Sequence, residues 1–182
     1  KAAIKVLGSG DKAAPVNSAA TQDLIRRAID VLEANMATDA TKADRLREQT
    51  LLSLLRFQQN DYAAAKAASK DAYVLARQLD QRATLPAYIY ATASLYDPKP
   101  ESDAIFQYFA YAVTNEQDNA LRHWLFAIFL DRASYRMDDG GVDATILDQL
   151  FNLSRDFVHD ERKAAVQAGL LSRYFIRIKV DQ

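Results

Sequence analysis

The chain has 182 residues, 49% of them apolar and 26% charged, with a formal net charge of −1 and no cysteine. This is the composition of an ordinary globular domain large enough for its own core, and it excludes a highly charged disordered chain. It also excludes disulfides, thiolate metal sites and cysteine nucleophiles, and it sets up no overall field toward nucleic acid or an anionic membrane.

No apolar run approaches the roughly 18–20 residues that cross a bilayer. The start at Lys1, without Met or a signal sequence, reads as a processed or excised piece of a longer protein. A cysteine-free chain suits the cytosol and the periplasm equally.

Residues 1–17 hold two of the five glycines and one of the four prolines, and read as a leader or linker. Helical patterns then follow one another across a single domain, 18–182. Ser18 or Thr21 caps a first helix to about Met36, with Leu24, Ile25, Ala28, Val31 and Leu32 on one face. A second spans roughly 41–58, and Asn60-Asp61 opens a third that runs to about Leu79. Pro86 stands in the first turn of a fourth, which ends at Asp97-Pro98. Further helices are expected near 101–114, 118–137, 143–158 and 161–175, eight in all. Asp139 or Asp143 caps the seventh after the Gly140-Gly141 turn. "IKV" occurs at both ends, at Ile4-Lys5-Val6 and Ile178-Lys179-Val180, which allows a short terminal β pairing.

The third helix spends its positions on alanine. Ala65, Ala68, Ala72 and Ala76 follow spacings of three, four and four, so they form one smooth stripe that lets a neighbouring helix come close. Asn60-Asp61-Tyr62 supplies a turn before it, and Leu52-Ser53 forms a large-then-small pair on the second helix. With these residues the run from Gln49 through Leu75 resembles one tetratricopeptide repeat, although Gln49, Arg56 and Ser69 depart from that pattern. A weaker echo lies 40 residues on, with Ala93 matching Ser53 and with Ile105, Phe109 and Ala112 on the following helix. Ala133 sits another 40 residues along.

The resemblance implies an all-α, solenoid-like stack of antiparallel helix hairpins whose inner surface is built from the first helix of each pair. The groove-facing positions it implies are Arg47, Thr50, Leu54, Phe57 and Gln58, then Ala87, Tyr90 and Ser94. It further implies a non-enzymatic scaffold, without cofactor or metal, that binds a peptide or helix of a partner protein. The family's carboxylate clamp of Lys, Arg and Asn is not evident, so a C-terminal carboxylate ligand is not expected. The alanine-rich composition points to a bacterial-type assembly or regulatory protein.

Two other readings compete. His159-Asp160, with His123 upstream and Asp181 downstream, has the residue types of a helical metal-dependent phosphohydrolase. A helix hairpin at one edge of the stack could instead join a second copy. Asp138 to Asp143 does not fit a calcium loop, because Gly140 and Val142 occupy ligand positions. No phosphate-binding loop, dinucleotide fingerprint or nucleophile elbow is present. Aromatics crowd residues 88–129, and most are expected in the core, with a few tyrosines left at the surface.

Overall fold

A computed structural model describes residues 18–36, 41–138, 143 and 145–157. Those residues form seven helices and no strand: α1 (Ala19–Met36), α2 (Lys42–Gln58), α3 (Tyr62–Gln78), α4 (Thr84–Ser94), α5 (Ser102–Asn115), α6 (Asn119–Asp138) and α7 (Thr145–Phe157). The fold is all-α. The helix expected over 161–175 and the terminal IKV segments lie outside the described residues.

Local chemistry sets the helix starts. The Ser18 hydroxyl accepts from the Thr21 N–H at 3.1 Å before α1. Thr41 accepts from the Asp44 N–H at 3.2 Å and donates its hydroxyl to Asp44 Oδ2 at 2.6 Å, a reciprocal cap on α2. Asp61 caps α3 through the Ala64 N–H, and Asp143 accepts from Thr145 at the start of α7.

Two helix ends share one geometry. Asn60 and Asp80 take positive φ, 60° and 52°. Asp61 N–H then bonds back to Arg56 C=O at 3.0 Å, and Gln81 N–H to Ala76 C=O at 2.8 Å. Each is a helix stop with one residue in the left-handed region, where Asn and Asp are tolerated better than other non-glycine residues. These stops turn α3 back along α2, and α4 back along α3.

Successive helices pack in order from α1 through α5, and α2 also meets α4, α4 meets α6, and α5 meets α7. Helix α4 is covered from several sides, and Pro86 to Leu95 are buried apart from Tyr90. Its sequence is accordingly apolar nearly all round. The main core surrounds it: Tyr88 of α4, Phe109 of α5, and Phe126 and Phe129 of α6 are all buried. The Phe109 and Phe129 rings stack at 3.9 Å between centroids.

The alanine stripe of α3 is buried along its whole length, and Ser69, one of the departures from the repeat pattern, is buried beside it. Ala68 meets Ile29 and Leu52, whereas Ala72 and Ala76 meet Leu46 and Ala83. The stripe therefore serves three neighbours. Ser53, Ala93, Ile105, Phe109, Ala112 and Ala133 are buried too.

Helix α1 corrects one expectation. Its buried face centres on Ile29, with Leu24 65% and Val31 59% exposed. It packs mainly on α2, and one neighbour covers only one stripe of a helix. Arg56 of α2 fixes that contact through an ion pair to Glu33.

Candidate functional site

An open groove of about 470 Å³ runs where α2 meets the segment leading into α4. Leu46, Thr50 and Leu54, spaced by four, form one face of α2 and floor it. Leu51, 45% exposed, lies on the same helix at its edge. Arg82, Leu85 and Pro86 build the opposite wall. That wall is held by the stop at Asp80 and by Ala83, which is fully buried against Leu46, Ala72 and Ala76. Pro86 fits the first turn of α4 because the N–H it lacks would have no helical acceptor there.

The groove has an apolar floor and a cationic edge. Arg47 and Arg82 are both exposed and line it, and no Asp or Glu does so among the described residues. Arg47 reaches Asp44 at 3.4 Å, but those side chains are 81% and 47% exposed. The pair is loose, and Asp44 is already engaged with Thr41. No ion pair ties Arg82 to a described residue.

Of the eight positions expected to face a partner, the structure brings Arg47, Thr50 and Leu54 together in this groove. Phe57, Ala87 and Ser94 lie in the core instead. Helices α2 and α4 pack directly, and those three residues fall on their shared or covered faces. Gln58 is half-buried and does not line the groove. Tyr90 is occupied on its other side, with the Tyr108 ring at 4.0 Å and the Lys66 ammonium 5.5 Å from its centroid. Arg82, Leu85 and Pro86 were not among the expected groove positions, because they reach the site only once α3 has turned back.

A second constellation joins α2, α3, α4 and α6. Tyr62 stacks on Tyr96, Arg132 donates to the Tyr96 hydroxyl at 3.2 Å, and the Arg132 guanidinium lies 5.1 Å from the Phe57 ring. Arg136, one turn on, donates to the Leu95 carbonyl at 3.0 Å and covers Tyr96. Burial, then the neighbouring Tyr96, raises the Tyr62 phenol above its ordinary pKa despite Arg132. Lys66 pairs with Asp97 nearby; burial opposes its charge, but the hydrogen bond and the charge of Asp97 outweigh that and raise its pKa. These groups find their partners within the fold and read as a clamp between helices.

His123 Nδ1 lies 2.5 Å from the Asn119 carbonyl. His159, Asp160 and Asp181 lie outside the described residues, and among those described no three His, Asp or Glu side chains converge as metal ligands. No described helix is long and apolar enough to cross a membrane. Comparison with family models, with curated proteins and with solved structures yielded no match for this chain.

Proposed function

We propose that the chain is a non-enzymatic protein-interaction module, a tetratricopeptide-like helical stack that takes a peptide or short helix of a partner protein. The groove between α2 and the start of α4 carries the reading: its walls are preformed, its floor is apolar, and it lies open. The order of helix packing and the buried alanine stripe support the repeat-like part of it. A site built on rigid helices asks little ordering of the scaffold, so most of the entropic cost falls on the ligand.

The volume, about 470 Å³, lies within the range of small binding sites and suits a pair of apolar side chains rather than a long segment. Leu46 to Leu54 spans about 12 Å of α2 at 1.5 Å per residue, or about two turns of a docked helix. The test is amide chemical-shift mapping with amphipathic peptides. Shifts confined to 46–54 and 82–86, and lost in Leu51→Asp, support the groove. Shifts confined to other helices overturn it.

A further inference from the structure

We infer that the groove selects an acidic segment: a short amphipathic stretch of a partner protein that buries apolar side chains and presents carboxylates beside them. This rests on the reading of the groove as a binding site and names the chemistry of its occupant.

The groove and such a segment are complementary in charge. The lining holds two guanidinium groups, from Arg47 and Arg82, and no carboxylate among the described residues. The chain as a whole is balanced, at −1, so this local excess of positive charge is a property of the groove and not of the protein. Among the described residues the one carboxylate paired with either arginine is Asp44, which reaches Arg47 at 3.4 Å between exposed side chains. Arg82 follows the stop at Asp80 and lines the groove from the segment leading into α4, whereas Arg47 lines it from α2. A ligand whose apolar side chains enter this groove therefore meets two forked donors in its lining. Each can take a carboxylate in a bidentate pair, which a lysine-rich or uncharged segment cannot exploit. A lysine-rich segment would meet like charge at both edges, the repulsive half of selectivity.

Three 12-residue peptides test this. All carry two leucines four residues apart and are acetylated and amidated, so that only side chains bear charge. They differ in their flanks, which are Glu, Gln or Lys. Binding is read by fluorescence anisotropy to the whole chain and to the Leu51→Asp and Arg82→Glu variants, whose folding is checked by circular dichroism. The expected result is that the Glu peptide binds about tenfold tighter than the Gln peptide, from two partly exposed ion pairs. That margin should shrink in high salt and be lost in Arg82→Glu, which leaves the lining with one positive and one negative group. Equal binding of the Glu and Gln peptides, both lost in Leu51→Asp, would overturn the acidic preference and leave the groove standing. Failure of all three peptides to bind, or binding that Leu51→Asp leaves unchanged, would overturn both.

Discussion

The Tyr62 ring lies flat on the Tyr96 ring, with centroids 3.9 Å apart and planes within 8°. Tyr62 opens α3 and Tyr96 follows α4, so the stack locks the start of one helix to the end of the next. The same Tyr62 ring meets Phe57 edge-on at 5.4 Å, which ties in the end of α2. Replacing either tyrosine by alanine should cost about 1.5–3 kcal/mol, less than a fully buried aromatic because both are only partly buried. In a double-mutant cycle by urea denaturation the coupling should be about 0.5–1.5 kcal/mol. Strictly additive losses would show that the two rings contribute separately.

Ala72 is fully buried where α3 meets Leu46 and Ala83. Ala72→Leu should therefore destabilise the protein by about 1–3 kcal/mol through overpacking. Ala67 lies on the exposed face of the same helix, and Ala67→Leu should stay within about 0.5 kcal/mol of the parent. Similar melting temperatures for the two variants would mean that the stripe is not a close-contact surface.

Asp80 sits at φ 52° and is exposed. Asp80→Gly should stabilise by a few tenths to about 1 kcal/mol, since glycine carries no Cβ penalty in the left-handed region. Asp80→Val should destabilise by about 1–2 kcal/mol, because a β-branched side chain resists that conformation. The same order should appear in peptide binding, since this stop positions Arg82. A Val variant as stable as the parent would place the turn elsewhere in φ.

Tyr88 is buried, its hydroxyl has no partner within hydrogen-bonding geometry among the described residues, and the Thr92 hydroxyl donates to the Tyr88 carbonyl at 2.8 Å. Burial pushes the phenol well above its ordinary pKa, against smaller pulls from Arg132 and from the nearby Thr92 hydroxyl. Above about pH 10 the unfolded chain loses this proton while the folded chain keeps it, so stability must fall as pH rises. The raised pKa of Lys66 acts in the same sense: the Asp97 pair stabilises below the ordinary lysine pKa and is lost as pH climbs through the folded value. Tyr88→Phe should be neutral or stabilising near pH 7, by up to about 1–2 kcal/mol, because it removes an unpaired polar atom. Its urea midpoint should also decline less between about pH 9 and 11 than that of the parent. An unchanged slope would assign the alkaline loss to other groups.

Much of the helix layout was legible because it depends on neighbours in sequence. Thr41, Asp61 and Asp143 act as caps, and the seven described helices begin and end within a few residues of the expected limits. The alanine stripe was legible for the same reason: a period of 3.6 places Ala65, Ala68, Ala72 and Ala76 on one face whatever lies opposite. Burial was less legible where the number of neighbours mattered. Leu24 and Val31 have the pattern of buried residues and are exposed, because α1 meets mainly α2. Phe57, Ala87 and Ser94 occupy positions that a repeat offers to a ligand and are buried, because α2 and α4 close directly on one another.

By itself, the sequence determined that the described chain is helical, where its helices start, and which helix would be smooth enough for close packing. These follow from local hydrogen bonding and from periodicity along one helix. Tertiary structure alone decided that residues 82–86 face Leu46 to Leu54, and so where an apolar groove with two arginines lies. That juxtaposition depends on two left-handed helix stops, at Asn60 and Asp80, acting in succession. Each reverses the chain, and only their combination brings Arg82 across from Arg47, 35 positions earlier.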